Sequence, residues 1–436
     1  MNKLTWKDNF FIGLMLFALF FGAGNLIFPP FLGQEAGTSY FPAIIGFVIT
    51  GVGLPVLGII AVSLAGQSFQ GIAERVNKPF AFFFMVILYA AIGPFFGIPR
   101  AANVSYEMGI VPLLPESGTG TSLFLFSILF FGIVFLLSLN PNKLVTSIGY
   151  IITPALLASI VLLVAGAYAS GFMSGGGPPS AEYEAQAVGR GFVEGYLTMD
   201  TIAALAFGLI VVNTLKEKGA LDRREIRRSA ASAGIIAGIG LAAVYIAIGW
   251  LGVHSGPRMI MENGSEILTY SAGESFGFTG TILLGLIVTL ACLTTCIGLV
   301  TACSQYFQRY LPFLSYPALA FLLTALSFLV GNLGLNTIIS LSVPLLVAIY
   351  PLAIVLILLS LLNEKITLHR SHYIGAVAGT ILVSAYDGLK ETGLVPLDGA
   401  GFYSLLPFFE LNLGWILPAL AGFIIGHTFR SKSISY

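Results

Sequence analysis

Charged side chains are scarce in this sequence of 436 residues. Only 9% of the residues are Asp, Glu, Lys or Arg, whereas 57% are hydrophobic and the mean hydropathy is +0.93. Because soluble domains carry about 25% charged residues, this composition excludes an ordinary soluble domain. The formal net charge is zero, which argues against nucleic acid as a partner, since binding it needs a basic face. We therefore expect a protein embedded in a lipid bilayer.

Cysteine and histidine are also sparse. Cys292, Cys296 and Cys303 fall in one apolar segment, where we expect them to act as small packing residues. The four histidines lie near the ends of apolar segments, so no Cys/His cluster has the spacing of a metal centre. No catalytic set, such as paired Asp or His with Glu, is apparent in the middle of these segments. The sequence predicts neither an enzyme nor a bound cofactor.

The hydrophobic residues are arranged in long runs. A run of about 20 apolar residues crosses the ~30 Å hydrocarbon core of a bilayer, and about twelve such runs are present. They predict an all-α polytopic membrane protein with one transmembrane domain over 1–436. The predicted spans are 9–33, 40–64, 80–110, 120–139, 144–170, 196–214, 230–252, 277–306, 316–333, 336–362, 372–388 and 406–429.

Basic residues fall mainly on one side of these spans. Lys and Arg of short loops stay on the cytoplasmic side of a membrane, and most of the 20 basic residues share a side with the N-terminus. An even number of spans returns the C-terminus to that side. The first run is too long for a cleaved signal peptide. We expect both termini in the cytoplasm, and no obligate protein partner is evident.

The first span contains residues that break a helix. Residues 20–30 read FFGAGNLIFPP. Unpaired backbone groups at membrane depth are tolerated only where they line a cavity or bind a ligand, and such breaks mark the binding sites of transporters. Gly22 and Gly24 would let backbone N–H groups approach a carboxylate, while freed carbonyls and the Asn25 oxygen suit a cation. We expect a zwitterion and a cation at this break.

The sixth span offers a counterpart, because polar groups and Gly208 weaken an otherwise apolar helix. Five spans separate the two breaks, so the halves 9–170 and 196–362 would run with inverted topology, followed by two additional helices over 372–429. The alternative is that Gly208 is one of 51 glycines that let helices pack closely.

The eighth span contains a second group of oxygens. The carbonyl of Ala291 and the hydroxyls of Thr294 and Thr295 lie one turn apart, which suits part of a Na⁺ site. Membrane threonines also bond back to their own helix carbonyls, and that reading needs no ion.

Four long stretches together resemble one family. The chain is similar to the bacterial branched-chain amino-acid carriers called BrnQ over essentially its whole length. The resemblance implies sodium-coupled uptake of leucine, isoleucine and valine across the bacterial cell membrane. It further implies the amino acid–polyamine–organocation superfamily and its LeuT-like five-plus-five inverted repeat, with helices 1 and 6 discontinuous. The stretches are FFGAGNLIFPP (20–30), GPFFGIPR (93–100), GFVEGYLTMD (191–200) and SVPLLVAIYP (342–351).

The resemblance also implies roles for individual residues. The run 22–25 would bind the substrate carboxylate, with Asn25 also at one sodium site. A second sodium site would combine the carbonyls of Ala18, Phe21 and Ala291 with the hydroxyls of Thr294 and Thr295. The substrate contacts in the run 22–25 would be Gly22, Ala23, Gly24 and Asn25. Phe207 and Gly208 are similar to the second unwound segment, where Thr201 is an equally reasonable contact. Phe95, Phe96 and Phe207 would wall an apolar pocket.

Arg100 is the residue that most needs a partner, because an unpaired cation at mid-membrane costs at least ~2.5–3.5 kcal/mol. Glu107 lies two helical turns away, whereas Asp200 could approach across helices in a structural or gating pair. Snorkelling to an aqueous vestibule is the alternative.

Proton coupling is the main alternative for the ion, with Glu107 or Asp200 as the titrating group. The two threonines favour Na⁺, as does the absence of Lys and Arg from 144–170, where some proton-coupled relatives carry a lysine. A channel would more often present a charged ring or a repeated filter segment. Proline, aromatic amino acids and nucleobases remain alternative substrates if the family resemblance is set aside.

Overall fold

The computed structural model describes residues 5–65, 69–114, 119–139, 141–171, 175–220, 222–255, 259–395, 401 and 403–428. These residues form helices and connecting turns, and no strand occurs among them. The helices are α1 (Trp6–Phe20), α2 (Ala23–Ala36), α3 (Tyr40–Val48), α4 (Leu54–Ala65), α5 (Phe69–Ala73), α6 (Lys78–Ala90), α7 (Gly97–Gly109), α8 (Thr119–Ser138), α9 (Pro141–Ala169), α10 (Ala181–Glu194), α11 (Asp200–Glu217), α12 (Arg223–Ser255), α13 (Gly264–Gln308), α14 (Tyr316–Gly331), α15 (Leu335–Asn363), α16 (Arg370–Glu391) and α17 (Ile416–Thr428).

Several of these helices are long and apolar enough to cross a membrane. Within the described part of the chain, six continuous helical stretches meet this test, and the bent pair formed by α10 and α11 raises the number to seven. Two of the six combine several elements, because Ala23–Leu64 runs from α2 into α4 and Lys78–Leu113 includes α6 and α7. Three shorter apolar helices end at Ala169, Gly331 and Thr428. The all-helical membrane architecture is therefore confirmed, while the total of about twelve crossings stays a prediction.

The first predicted span is interrupted where the glycines lie. Helix α1 ends at Phe20, Phe21 and Gly22 have extended backbones, and α2 begins at Ala23. Pro29 and Pro30 lie inside α2, downstream of the interruption. Two extended residues thus separate the half-helices α1 and α2 in the interior of the protein.

The sixth predicted span is interrupted at a different place from the one expected. A 3₁₀ turn over Gly195–Thr198 and a left-handed Met199 (φ 68°) separate α10 from α11, whose axes differ by 44°. The prediction of an unwound segment at Phe207 and Gly208 is wrong, because both lie inside α11. A Cβ on Gly208 would come within 2.7 Å of Val62, so this glycine permits close packing, as the alternative proposed.

Small residues bring the half-helix α2 against α12. A Cβ on Gly33 would overlap the carbonyl oxygen of Gly249, and a Cβ on Gly252 would overlap that of Pro30. Such close backbone approach is how helices associate in membranes, where apolar surfaces gain little from leaving lipid. The contact places the first interruption beside the middle of α12.

Candidate substrate and ion site

The two interruptions meet around a cavity of about 40 Å³. One side is formed by the turn between α1 and α2, and the other by the turn between α10 and α11. Helices α7 and α13 close the remaining sides. The lining residues are Leu19, Phe20, Gly22, Ala23, Gly24, Asn25, Ile92, Gly97, Arg100, Ala101, Thr198, Met199, Asp200, Ala203, Phe207, Thr295 and Leu299.

The start of α2 carries donors toward this cavity. The backbone N–H of Gly22 donates to Asn25 Oδ1 at 3.1 Å, which fixes the turn. The first N–H groups of any helix lack partners within the helix and sit at the positive end of its dipole. Here those groups belong to the cavity-lining residues Ala23 and Gly24. The N-terminal end of α2 is therefore suited to binding an anionic group.

Gly24 is required by a close approach of the two interruptions. A Cβ on this residue would lie 2.7 Å from the carbonyl oxygen of Thr198 and 2.7 Å from Arg100 Nη2. Neither the backbone carbonyl nor the fully buried guanidinium can readily withdraw. The absence of a side chain at this position thus lets α2 contact the 3₁₀ turn directly.

Arg100 binds that 3₁₀ turn rather than an acidic side chain. The guanidinium is 2% exposed, and its Nη1 donates to Leu197 O at 2.8 Å and its Nη2 to Thr198 O at 3.2 Å. Its Cζ also lies 5.3 Å from the centre of the Phe28 ring. No direct ion pair joins Arg100 to Asp200 among the described residues, because backbone carbonyls accept from the guanidinium. Asp200 nevertheless lines the same cavity and attracts Arg100 through space, so a structural or gating role for the two residues stays a prediction.

Glu107 lies outside the cavity. Its carboxylate accepts a hydrogen bond from Ser265 Oγ near the start of α13. A role for Glu107 in a pair with Arg100 is not supported by this contact, which ties α7 to α13 instead.

Asp200 is held by two other residues. Asn25 Nδ2 donates to Asp200 Oδ2 at 2.7 Å, and the Tyr245 hydroxyl donates to the same oxygen at 2.6 Å. Asn25 Nδ2 also contacts the Tyr245 hydroxyl. The carboxylate is 2% exposed. Sequence reasoning missed Tyr245, although a tyrosine in the middle of an apolar span is a recognisable indication, because a buried hydroxyl needs a partner.

The predicted oxygens of α13 lie against the first interruption. Thr295 Oγ1 donates to Phe21 O at 3.2 Å and lies 3.3 Å from Ala291 O, and Thr294 Oγ1 donates to Ala291 O at 2.7 Å. The hydrogen bond from Thr294 to Ala291 O is the contact expected if these threonines bond to their own helix and no ion is present. The contact of Thr295 with Phe21, directly after α1, is not expected from that interpretation. Ala18 lies one helical turn before Phe21, and is half-buried.

The apolar wall of the cavity differs from the predicted one. Phe20 and Phe207 line it, with their ring centres 6.4 Å apart, together with Leu19, Ile92 and Leu299. Phe95 and Phe96 do not line it, and the Phe95 side chain is 43% exposed. The sequence could not place them, because an unpredicted π-helical turn over Ala91–Phe95, with non-helical Gly93, redirects this segment.

Two further predicted contacts are also absent from the cavity wall. Thr201 is fully buried in the first turn of α11, and Gly208 lies two turns further along the same helix. Neither is among the residues that line the cavity.

Two interrupted helices that enclose a polar and apolar cavity inside an apolar bundle define a membrane transporter. Solved structures with this fold include the nucleobase-cation-symport-1 family transporter Mhp1 in a closed conformation (TM-score 0.60, 14% identity, 96% of this chain and 91% of that chain). Another is a Na⁺-coupled sialic acid symporter in an outward-open state (TM-score 0.58, 14% identity, 97% of this chain and 90% of that chain).

Sequence relatives define the family. Residues 5–433 match the model of the branched-chain amino acid transport protein family. The branched-chain amino acid permease BrnQ of Bacillus subtilis is 45% identical over 99% of this chain and 99% of its own length. The permease BraB of the same organism is 44% identical over 98% of this chain and 96% of its own length. The chain therefore belongs to this family of transporters and is not an enzyme, as the sequence predicted.

Proposed function

We propose that this protein is a secondary active transporter that takes up leucine, isoleucine and valine together with Na⁺ by alternating access. The names and high identity of its relatives support the substrate class. The single observation that favours Na⁺ is the contact of Thr295 Oγ1 with Phe21 O across the first interruption. We place the protein in the bacterial cell membrane with both termini in the cytoplasm, on the basis of its basic loops.

The substrate carboxylate binds at the start of α2 in this proposal. The N–H groups of Ala23 and Gly24 supply donors, and the helix dipole supplies a favourable field. The branched side chain packs against Phe20 and Phe207. Each buried methylene is worth about 0.8 kcal/mol, so an apolar pocket separates leucine, isoleucine and valine only weakly. One carrier for all three substrates follows.

The sodium ion binds between α1 and α13. Its ligands are the carbonyl oxygens of Ala18, Phe21 and Ala291 and the hydroxyls of Thr294 and Thr295. Neutral oxygens of this kind suit a hard cation. Because α1 and α13 contribute separate ligands, binding of the ion stabilises the arrangement in which these helices are in contact. We retain Asn25 as a candidate for a further sodium ligand, although its Oδ1 already accepts from Gly22.

The size of the cavity implies a conformational change. A volume of about 40 Å³ accommodates a few water molecules, whereas a branched-chain amino acid is larger. The substrate can enter only if the two interruptions move apart. We propose that an inverted pair of five-helix repeats, 9–170 and 196–362, provides this motion, and that two additional helices, α16 and α17, follow them.

A proton-coupled symporter is the second candidate. Asp200 favours it, because a buried carboxylate at the cavity could carry a proton. Equilibrium binding of tritiated leucine to purified protein separates the two. We expect addition of Na⁺ at constant pH and ionic strength to raise leucine affinity, with isoleucine and valine competing. A leucine affinity that changes with pH and does not change with Na⁺ concentration would favour proton coupling.

A further inference from the structure

We propose that Asp200 binds the ammonium group of the substrate, and that the carrier consequently requires a ligand with both an ammonium and a carboxylate. This inference rests on the proposed amino-acid transport and identifies the side chain that binds the ammonium group of the substrate.

The position of Asp200 supports this role. It is the first residue of α11, directly after the left-handed Met199, and it lines the same cavity as the start of α2. The lining of the cavity thus carries groups of both charges. Helix N–H groups and the nearby guanidinium of Arg100 form the positive side, and the Asp200 carboxylate forms the negative side. A zwitterion complements both.

Arg100 does not neutralise this carboxylate directly. Both of its terminal nitrogens donate to backbone carbonyls of the 3₁₀ turn, at Leu197 and Thr198. Those carbonyls are consequently engaged and less able to receive a substrate ammonium. Asp200 is the acidic side chain that remains at the cavity for this purpose.

The supports of Asp200 leave it able to bind a cation. Asn25 and Tyr245 both donate to Oδ2, and the Thr198 side chain also lies within hydrogen-bonding reach of the carboxylate. These contacts orient the acid, and Oδ1 is the oxygen that we assign to the ligand. Neither neighbour carries a charge that would compete with an ammonium. The Arg100 guanidinium also attracts Asp200 through space, but its hydrogen bonds go to backbone carbonyls. A buried carboxylate whose hydrogen bonds come from neutral donors gains further from a cationic partner in direct contact, because neutral hydrogen bonds stabilise a buried charge incompletely. Asn25 and Tyr245 are therefore positioning residues for Asp200.

The first test needs no variant. Purified wild-type protein is loaded with tritiated leucine, and three analogues compete. Leucic acid replaces the ammonium by a hydroxyl, isocaproate lacks it, and isoamylamine lacks the carboxylate. A polar site rejects ligands that leave its buried groups unpaired, so we expect each analogue to compete about 100-fold less well than leucine, or worse. Competition by leucic acid or isocaproate at leucine-like concentrations would overturn the proposal.

The second test assigns the discrimination to Asp200. In Asp200→Asn we expect leucine to lose affinity while leucic acid does not, so that their ratio falls by about tenfold or more. Tyr245→Phe should reduce the ratio by a smaller factor. Asp387→Asn is the matched control, because Asp387 is fully buried in α16 but does not line the cavity, and its ratio should equal that of wild type. An unchanged ratio in folded Asp200→Asn would contradict the assignment.

Size-exclusion elution of each variant establishes that it is folded. If Asp200→Asn does not fold, the wild-type analogue series still decides whether binding needs an ammonium group. Tyr245→Phe then decides whether the hydrogen-bonded group of Asp200, Asn25 and Tyr245 recognises that ammonium. Binding is measured at fixed Na⁺, so the outcome is independent of the coupling ion. Failure of sodium coupling would leave this inference standing, whereas loss of all leucine binding in wild type would remove both.

Discussion

The hydroxyl of Thr295, in the middle of α13, donates a hydrogen bond of 3.2 Å to the backbone carbonyl of Phe21, where α1 ends. Phe21 directly follows the last residue of α1, and backbone oxygens at the C-terminal end of a helix lack partners within the helix. The contact therefore joins a free backbone acceptor to a side chain of another helix. It is the feature on which the proposed sodium site depends.

Thr295→Ala tests that site. The change removes one proposed ligand and the hydrogen bond to Phe21, so we expect the Na⁺ concentration for half-maximal leucine uptake to rise about tenfold, the equivalent of ~1.4 kcal/mol. Thr301→Ala is the control, because Thr301 bonds to Ile297 O within the same helix. Sodium titrations of uptake should separate the two variants. Equal sodium dependence in both would count against the site.

Gly24→Ala tests the contact between the two interruptions. The added methyl would collide with Thr198 O and Arg100, so we expect leucine transport to fall at least about tenfold, in line with overpacking costs of 1–3 kcal/mol. Gly132→Ala in α8 is the control, because a Cβ there meets nothing within 4 Å. Initial uptake rates normalised to protein in the membrane provide the measurement. Full activity of Gly24→Ala would show that the interruptions lie further apart.

Arg100→Gln tests the support of the 3₁₀ turn. Loss of the guanidinium leaves the Leu197 and Thr198 carbonyls without donors, and each unsatisfied buried group costs about 1–3 kcal/mol. We expect a lower melting temperature and little uptake, with partial recovery in Arg100→Lys. Arg227→Gln should change neither, because the Arg227 salt bridge to Glu364 is solvent-exposed and such pairs contribute about 0–1 kcal/mol. Wild-type stability and uptake in Arg100→Gln would refute the role.

Phe207→Ala tests the apolar wall. Removing the ring enlarges the cavity beside Phe20, so we expect leucine affinity to fall about tenfold, since burying an apolar side chain is worth about 1.5–3 kcal/mol. Methionine and phenylalanine should compete better than they do in wild type. Phe83→Ala, an exposed position of α6, serves as the control in the same competition assay. A substrate preference identical to wild type would place the side-chain pocket elsewhere.

Much of the first interruption could be predicted from the sequence. Glycines within an apolar run disfavour a continuous helix, and this signal can be recognised from the local sequence alone. The position of Thr294 and Thr295 one turn after Ala291 was also readable, because helical spacing fixes which residues share a face. The sequence did not indicate that Thr295 would contact Phe21, which depends on how α13 packs.

The second interruption was misplaced for a physical reason. Its sharpest bend is at Met199, a non-glycine residue whose backbone is in the left-handed region. The sequence suggests that conformation mainly at glycine. Surrounding contacts, including the two hydrogen bonds from Arg100, hold the turn instead. The partners of Arg100 were missed for a related reason, since backbone carbonyls carry no residue-type pattern.

The most direct test of sodium-coupled transport is leucine uptake into proteoliposomes under an imposed inward Na⁺ gradient, compared with an imposed proton gradient at equal K⁺ and membrane potential. We predict accumulation with the Na⁺ gradient alone, and loss of that accumulation in Thr295→Ala at low Na⁺. Accumulation driven by the proton gradient alone would contradict it, and would transfer the coupling role from the α1–α13 oxygens to a titrating group such as Asp200.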